Sequence, residues 1–339
     1  MITPITNILE SIGRTPVSRL RVSVAGRSVT IGLKLESYNP AGSSKDRTAA
    51  ALLDDLASQG RLQPSSVIVE STSGNLGAAL ALLSRELGYS FVAVIDPKTT
   101  AENRARILSY GAELDMVEAQ DMQGGYLLSR LRRVRELCAR SPRYVWTNQY
   151  SNVANPNAHY RSTAPELRAQ MGAHLDAVFV PVSTGGTLVG IARHFREVSP
   201  STRIIAVDAV GSVIFGGSSC PRKLTGIGSS RQSDFIRQEH YDEHIEVCDA
   251  DAFAMCRHIA QRTGILIGGS SGATVFACTR YIARHREVAV AACICPDGGA
   301  NYASSIYDDE WLRSNGFDPT RTVPGIDAIT IAEGAGGAH

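Results

Sequence analysis

The chain has 339 residues, of which 43% are hydrophobic and 20% charged, and its 34 basic and 33 acidic side chains leave a formal net charge of +1. This composition is typical of a globular protein of about two domains, and the charge balance gives no reason to expect nucleic acid or an anionic membrane as a partner. The N-terminus lacks a basic segment followed by an apolar one, and no apolar run approaches the roughly 20 residues of a membrane helix, so we expect neither a signal peptide nor a membrane span.

The predicted elements alternate between short apolar strands and amphipathic helices. After a strand at residues 67–69, apolar residues recur at helical spacing from Leu76 to Leu87, and Gly88 suits the end of that helix. Thr99 and Glu102 have the spacing of a capping box at the start of the next helix. Further strands are predicted at residues 91–95, 114–117, 177–182, 204–210 and 288–294.

This alternation is typical of parallel sheets that helices cover on both faces. The strands are too many for one small domain, so the pattern predicts an α/β fold with two α/β domains and parallel-rich sheets. The C-terminal tail, residues 326–339, ends in small and glycine residues, and we expect it to be disordered.

The seven cysteines predict reduced thiols in the cytoplasm. Their number is odd, no Cys-x-x-Cys occurs, and several lie in apolar segments, so buried thiols are favoured over disulfides or a zinc site. The eight histidines form no His-Glu-x-x-His pattern, and we predict no metal centre.

The first of three polar loops, Asn39–Arg47, precedes a predicted helix and contains Lys45. A lysine at a helix start is poorly placed, because the helix dipole favours anions there. Lys45 is therefore either an ordinary solvated lysine or an amine that is kept neutral and nucleophilic and can form a Schiff base.

The second loop, Ser71–Gly77, lies between a predicted strand and a predicted helix. Ser71, Thr72 and Ser73 supply hydroxyls, Asn75 supplies an amide, and the helix start supplies free backbone N–H groups. Such a position binds a carboxylate or a phosphate. The same residue types are also favoured as ordinary helix caps, so this loop alone leaves both interpretations open.

The third loop consists of Ser183, Thr184, Gly185, Gly186 and Thr187, again between a strand and a helix. Its two glycines allow the backbone to approach an anion closely, and the helix dipole points at that anion. Neither Gly-x-Gly-x-x-Gly nor the P-loop pattern occurs, so a small phosphate monoester suits the loop better than a nucleotide.

Together these loops resemble those of the cysteine synthase and cystathionine β-synthase family, the fold-type II enzymes that use pyridoxal 5′-phosphate (PLP). The similarity runs in order from about Ile8 to Trp311. Other blocks similar to the family's motifs are Ile12–Pro16, Leu35–Pro40, Asn148–Tyr150 with Asn155-Pro156, Gly268–Gly272 and Cys295–Asp297.

The resemblance implies a role for each block. Lys45 would hold PLP as a Schiff base and serve as the general base at the substrate Cα. The Ser71–Gly77 loop and Gln149 would grip the substrate α-carboxylate, and Asn75 would also hydrogen-bond the 3′-oxygen of PLP. The loop Ser183–Thr187 would bind the PLP phosphate.

Ser270 would face the pyridine nitrogen of PLP, again by resemblance. A neutral hydroxyl makes the ring a weaker electron sink than an aspartate would, which favours elimination and replacement at the β-carbon over transamination.

The resemblance also implies a tryptophan synthase β-like architecture. A smaller, mobile substrate-binding domain would span residues 44–146, and residues 1–43 with 147–325 would form the larger, PLP-binding domain, with the cofactor in the cleft. Substrate binding would close the cleft and exclude water. A homodimer is expected from the resemblance.

Several departures from ordinary cysteine synthases indicate a charged substrate. Ser183 replaces the usual glycine of the phosphate loop, Tyr150 replaces the phenylalanine after the glutamine, and the loop with Ser230 and Arg231 is unusually polar. With Arg130, these groups suit a charged leaving group or nucleophile, although surface charge would explain either arginine equally well.

This pattern most resembles the family members that use O-phospho-L-serine as donor and L-glutamate as nucleophile. They release phosphate and form N-(2-amino-2-carboxyethyl)-L-glutamate, a precursor of 2,3-diaminopropionate for siderophores and some peptide antibiotics. The nearest alternative is a cysteine synthase that combines O-phosphoserine or O-acetylserine with a sulfur nucleophile. Less favoured alternatives are a cystathionine β-synthase, a catalytically silent binding or regulatory protein, and a nucleotide-binding module.

Overall fold

The structure is a computed structural model that describes residues 7–121 and 125–332. These residues form two compact units of mixed α/β architecture. The smaller unit comprises residues 7–14 and Asn39–His159, and the larger unit comprises Thr15–Tyr38 and residues 160–332.

The strands of the described residues are, in chain order, β1 (Val17–Val24), β2 (Arg27–Leu35), β3 (Val67–Ser71), β4 (Ser90–Ile95), β5 (Glu113–Met116), β6 (Tyr144–Trp146), β7 (Ala177–Pro181), β8 (Arg203–Ala209), β9 (Glu243–Val247), β10 (Val290–Cys295) and β11 (Ile326–Ile331). The helices are α1 (Lys45–Ser58), α2 (Asn75–Glu86), α3 (Ala101–Ser109), α4 (Leu127–Arg140), α5 (Ala154–Ala158), α6 (Ala164–Met171), α7 (Gly186–Val198), α8 (Asp249–Thr263), α9 (Gly269–Arg284) and α10 (Asp309–Ser314). Short 3-10 helices span Ile8–Ser11, Glu36–Tyr38, Gln238–His240 and Gly299–Tyr302, and a π-helical turn spans His159–Thr163.

The smaller unit contains a parallel four-stranded sheet in the order β5-β4-β3-β6. Successive residues of β4 point to opposite faces: Ala93 packs with Leu80 of α2, and Val94 packs with Val134 of α4. Because helices cover both faces, the central strands β3 and β4 are mostly apolar, whereas the edge strand β5 alternates Glu113 and Asp115 with apolar residues. The predicted strands at residues 67–69, 91–95 and 114–117 are confirmed as β3, β4 and β5.

The larger unit contains a seven-stranded sheet in the order β11-β1-β2-β10-β7-β8-β9. The strands from β2 to β9 along this order are parallel, whereas β1 pairs antiparallel with β2 and with β11. One face packs on Phe253 and Tyr281 of α8 and α9, the other on Leu167 and Phe195 of α6 and α7. The predicted strands at 177–182, 204–210 and 288–294 are confirmed as β7, β8 and β10.

The sequence pattern does not predict β1, β2, β6, β9 or β11. β1 and β2 form a hairpin through Ala25 and Gly26, whose φ angles of 49° and 72° match the twist of a two-residue turn. β9 alternates polar and apolar residues along Glu243–Val247, and β6 has three residues. Continuous apolar runs identify longer strands that are buried on both faces, whereas these five strands alternate or are too short.

The units divide the chain at positions other than the predicted boundaries of 43/44 and 146/147. The segment after β6 stays with the smaller unit because Asn152 Nδ2 donates to Asp55 Oδ2 at 2.9 Å and Thr48 Oγ1 donates to Asn155 Oδ1 at 3.4 Å. Gly13 N–H, at the end of the opening segment, donates to Asn39 Oδ1 at 2.8 Å. The mobility of the smaller domain stays a prediction.

Two local expectations need correction. The composition of the tail predicts disorder from residue 326, but Ile326–Ile331 forms β11 and pairs with β1; residues 333–339 lie outside the described part of the chain. The helix predicted to be capped by Thr99 begins one residue later, because Thr100 Oγ1 accepts the N–H of Asn103 while Thr99 Oγ1 accepts that of Asp96.

Candidate active site

Lys45 is the first residue of α1 in the smaller unit and is half-buried. Its backbone N–H donates to Ser43 Oγ at 3.2 Å, and the next residue, Asp46, accepts the N–H of Ala41 at 2.6 Å, so side chains fix the turn that presents the lysine. His159 of the same unit is fully buried; burial, together with the positive charge of Lys45, holds the pKa of His159 well below its usual value. The imidazole of His159 is therefore neutral.

The Ser71–Asn75 segment joins β3 to the start of α2. Its carbonyls are held from outside the loop: Gln149 Nε2 donates to Ser71 O at 3.0 Å, and Asn103 Nδ2 donates to Ser73 O at 3.1 Å. Ser71 Oγ is buried and has no hydrogen-bond partner among the described residues. Thr72 is buried and Ser73 half-buried. An unsatisfied hydroxyl at the end of β3, in the segment that leads into the N-terminus of a 12-residue helix, fits an anionic ligand such as a carboxylate.

Glu70 supports this loop, and no sequence motif predicts it. It is fully buried at the end of β3 and accepts four hydrogen bonds, from the backbone N–H groups of Ser71 and Gln149, Trp146 Nε1 and Thr147 Oγ1. Burial raises the pKa of Glu70, and these hydrogen bonds act in the opposite direction. A lone acidic residue ending an apolar strand is the sequence signal that could have found it.

Gln149 and Tyr150 follow β6, which is parallel to β3, so they lie at the same carboxyl edge of the small sheet as Ser71. The residue before them, Asn148, has a φ of 55°, a left-handed conformation that asparagine tolerates better than most residues. Gln149 is buried, and its carbonyl accepts from Asn155 Nδ2 at 2.8 Å. Tyr150 is half-buried. The structure thus places Gln149 beside Ser71, and the binding of a substrate carboxylate by these residues stays a prediction.

Arg130 lies in the first turns of α4, and it is not a surface charge. Its Nε is 3.2 Å from Oδ2 of Asp96, with 11% of the Arg130 side chain and 7% of the Asp96 side chain exposed. Nη1 of Arg130 is buried and has no hydrogen-bond partner among the described residues. Burying a guanidinium with an unsatisfied N–H is costly, so the arrangement fits a further anion at this position.

Asp96, which the sequence pattern indicates only as the end of a strand, is the partner of this arginine. It follows β4, whose Val94 pairs with Ser71 in the parallel sheet, so Asp96 and the Ser71–Asn75 segment lie at the same carboxyl edge. This edge is where ligands bind in open α/β sheets. Oδ1 of Asp96 accepts the N–H of Lys98 at 2.8 Å, which leaves Oδ2 of Asp96 for Arg130.

In the larger unit, the loop Ser183–Thr187 joins β7 to the 13-residue helix α7. Gly185 precedes the helix with a φ of 96°. A Cβ at this position would lie 2.5 Å from Oγ of Ser233, which donates to the carbonyl of Thr184. Only glycine suits this backbone, and the N–H groups of Gly186 and Thr187 begin the helix. The loop fits a small phosphate monoester.

The polar loop at residues 226–231 lies beside the Ser183–Thr187 loop. The N–H of Gly228 donates to Val182 O at 2.7 Å, and Ser183 Oγ donates to Gly228 O at 3.3 Å. Ser230 and Arg231 are half-buried. The Arg231 guanidinium pairs with Asp234 three residues later, which favours a structural role within the loop.

Ser270 is buried in the first turn of α9. The glycines around it have a packing role as well: a Cβ on Gly272 would overlap the carbonyl oxygen of Ala252, so α9 approaches α8 closely. Asp297, from the late block after β10, is buried and accepts from the hydroxyl of Tyr302 at 2.8 Å.

The cysteines are free thiols, all seven within the described residues. Cys256, Cys278, Cys293 and Cys295 are buried, whereas Cys220 is exposed, contrary to the general expectation of burial. Across residues 7–121 and 125–332, no cluster of acidic, histidine and cysteine side chains could hold a metal ion, and no helix is long and apolar enough to span a bilayer.

A family profile described as "Pyridoxal-phosphate dependent enzyme" matches residues 8–297 of the sequence. The chain belongs to this family of PLP-dependent enzymes, and its cofactor is PLP. The mixed α/β fold with parallel-rich sheets is that of the fold-type II members.

Two curated relatives carry the same name. The N-(2-amino-2-carboxyethyl)-L-glutamate synthase of Ralstonia nicotianae is 42% identical over 333 residues, which cover 95% of this chain and 98% of the relative. The synthase of that name from Cupriavidus metallidurans is 40% identical over 331 residues, 96% of each chain.

Among crystal structures, an O-ureido-L-serine synthase matches with a TM-score of 0.82 and 32% identity, covering 92% of this chain and all of that one. The O-acetylserine dependent cystathionine β-synthase of Helicobacter pylori matches with a TM-score of 0.83 and 30% identity, covering 91% of this chain and 100% of that one.

Proposed function

We propose that this enzyme replaces the phosphate of O-phospho-L-serine with L-glutamate and forms N-(2-amino-2-carboxyethyl)-L-glutamate for 2,3-diaminopropionate biosynthesis. The names of the two curated relatives support the proposal. The structural observation that carries it is the buried Arg130, whose Nη1 lacks a partner among the described residues. The acetyl ester of O-acetyl-L-serine is neutral and offers no charge to this guanidinium, whereas the phosphate ester of O-phospho-L-serine is an anion before it leaves.

The residues present fit PLP by their chemistry. Lys45 offers a half-buried amine, the Ser183–Thr187 loop offers N–H groups at a helix start, and Ser270 offers a buried neutral hydroxyl. We assign these residues to the aldehyde, the phosphate and the pyridine nitrogen, and the amide of Asn75 to the 3′-oxygen. When bound, PLP supplies the electron sink that makes the substrate Cα proton acidic.

The other steps belong to side chains of the protein. The Ser71–Asn75 segment and Gln149 bind the α-carboxylate and so orient the Cα–H bond. The Lys45 amine removes the Cα proton, the phosphate leaves the β-carbon with the bonding electron pair, and the glutamate nitrogen attacks that carbon and loses a proton. Lys45 then returns a proton to Cα.

Arg130 is assigned to the phosphate of the donor. A guanidinium can offer two parallel N–H groups to phosphate oxygens, and burial strengthens this interaction. Ser183 and Tyr150 supply hydroxyls that the family's usual glycine and phenylalanine lack, and we assign them to the charged substrates. Ser230 is a further candidate, and the pairing of Arg231 with Asp234 leaves Arg231 the weakest of these assignments.

The test is a competition between donors and nucleophiles. The PLP-loaded protein is offered O-phospho-L-serine or O-acetyl-L-serine, each with L-glutamate or sulfide, and the products are identified by mass spectrometry. The proposal requires an adduct of the serine carbons with the glutamate nitrogen, formed from O-phospho-L-serine in clear preference to cysteine. Lys45→Ala is the negative control.

A cysteine synthase is the second candidate, favoured by the fold shared with an O-acetylserine dependent enzyme at 30% identity. Cysteine formed without the glutamate adduct would select it and leave Arg130, Tyr150 and Ser183 without their assigned roles. We further propose a cytoplasmic homodimer; the free cysteines support a reducing compartment, and the dimer rests on the family resemblance.

A further inference from the structure

We propose that Arg106 is a positioning residue for the cofactor, because it fixes which end of the Asn75 amide faces PLP. Arg106 Nη2 donates to Asn75 Oδ1 at 2.7 Å across the α2–α3 interface of the smaller unit. The proposal rests on the proposed function, in which Asn75 binds the 3′-oxygen of PLP, and adds a residue that no motif of the sequence indicates.

The chemistry of arginine decides the orientation of the amide. Arginine has only donor groups, so its partner on Asn75 must be the carbonyl oxygen. The nitrogen Nδ2 therefore points the other way and is the group that can donate to the 3′-oxygen of PLP, which is an acceptor. With the amide turned over, two donors would face each other at Arg106 and two acceptors at the cofactor.

The charge of Arg106 has a second effect. A cation bound to the amide oxygen polarises the amide and makes Nδ2–H a stronger donor, since linked hydrogen bonds reinforce one another. Arg106 thus favours the negatively charged form of the 3′-oxygen without touching the cofactor.

The position of Arg106 is set by helix packing. Ile107, the next residue, lies so close to Gly77 of α2 that a Cβ on this glycine would be 2.8 Å from Ile107 Cδ1. One turn earlier on α3, Asn103 Nδ2 donates to Ser73 O at 3.1 Å. Asn103 and Arg106 are three residues apart and share one face of α3, so this helix holds the carboxylate loop and the Asn75 amide together.

The experiment measures cofactor binding rather than turnover. The full-length protein is stripped of PLP, and PLP rebinding and the absorption spectrum of the bound cofactor are measured for Arg106→Met, which keeps the apolar stem. We expect PLP to dissociate roughly three- to tenfold more readily, the range of one lost hydrogen bond near a charge. We also expect the long-wavelength cofactor band, which requires the ionised 3′-oxygen, to lose intensity to the short-wavelength band.

The matched control is Arg104→Met on the same helix. Among the described residues, Arg104 donates to the carbonyls of Thr99 and Pro97, so its loss removes one charge from α3 and leaves Asn75 untouched. PLP affinity and spectrum should then stay within about twofold of the wild type. If Arg106→Met fails to fold, Arg106→Gln keeps a neutral donor and should weaken PLP binding by about two- to threefold.

A double-mutant cycle separates positioning from general support of the fold. In an Asn75→Ala background, Arg106→Met should have no further effect on PLP affinity, because the amide through which it acts is gone. Unchanged affinity and spectrum in Arg106→Met, or an equal loss with and without Asn75, would overturn the proposal. Failure of the proposed function is a separate result, because it appears as missing glutamate adduct in the wild type.

Discussion

Arg130 and Asp96 form an ion pair, 3.2 Å between Nε and Oδ2, in which both side chains are almost fully removed from solvent. The helix that carries Arg130 follows β5, and Asp96 directly follows β4, so the pair joins neighbouring segments at the carboxyl edge of the small sheet. A second pair of the same helix, Arg133 with Asp115 at 2.8 Å, is more exposed. A comparison of the two pairs therefore tests how burial changes the contribution of an ion pair on this helix.

Replacing Arg130 by methionine should change the choice of donor. The rate constant kcat/KM for O-phospho-L-serine should fall by about 10- to 100-fold, the range for a lost hydrogen bond to a charged group, while that for O-acetyl-L-serine changes by less than about threefold. Steady-state kinetics with both donors measure the ratio. Arg133→Met is the control and should leave the ratio unchanged; an equal loss for both donors would contradict the assignment.

Asp96→Asn should destabilise the protein because it leaves the Arg130 charge buried with a weaker partner. The free energy of unfolding should fall by about 3 kcal/mol, compared with less than about 1 kcal/mol for Asp115→Asn in the half-buried pair with Arg133. Urea unfolding of the cofactor-free proteins measures both values. Similar small losses in the two variants would mean that water reaches Arg130.

Gly185→Ala should weaken PLP binding by about tenfold or more. A Cβ there would lie 2.5 Å from Ser233 Oγ, so the loop must shift and its N–H groups lose their alignment. Gly216→Ala is the control, because Gly216 has a nearly equal φ of 95° and a Cβ added there would meet no atom within 4 Å. This variant therefore introduces the backbone strain of a positive φ without a steric clash. Equal PLP dissociation constants for the two variants would remove the phosphate-binding role of the Ser183–Thr187 loop.

Asp208 should make stability depend on pH in an unusual direction. Burial raises its pKa from 3.8 to about 6, and Ser212 and the N–H of Ala209 oppose this. The folded protein thus holds the proton more tightly than the unfolded chain, and stability falls as pH rises from about 4 to about 6. The shift corresponds to about 3 kcal/mol, which Asp208→Asn should remove.

The measurement is the unfolding free energy of the wild type and Asp208→Asn from pH 4 to pH 7. The difference between them should move in favour of the variant across this range. Parallel curves would show that Asp208 is ionised at the lower pH despite its burial.

Lys45→Ala should abolish the covalent link to PLP. The sequence contains four lysines, Lys34, Lys45, Lys98 and Lys223, so borohydride reduction followed by peptide mapping identifies the attachment site without ambiguity. Turnover should fall by at least roughly 1,000-fold, since the same amine transfers the Cα proton. Lys223→Ala is the control. Label on another lysine would overturn the assignment.

The sequence by itself determined the α/β class, six of the parallel strands and the three loops, because buried strands and glycine-rich anion loops depend on local residue types. It also indicated the PLP family, since the motifs occur in order along the chain. The sequence pattern did not predict the hairpin of β1 and β2, because its alternating residues and Ala25-Gly26 turn are a weaker local signal than a continuous apolar run.

Only the tertiary structure decided which polar residues meet. Arg130 and Arg231 look alike in the sequence, yet Arg130 is buried against Asp96 and Arg231 pairs within its own loop. Glu70 and Arg106 belong to no motif, yet strand order and helix packing bring Gln149 to Glu70 and Asn75 to Arg106. Burial, partner and hydrogen-bond direction depend on contacts between residues that are distant in the chain, and no local pattern encodes those contacts.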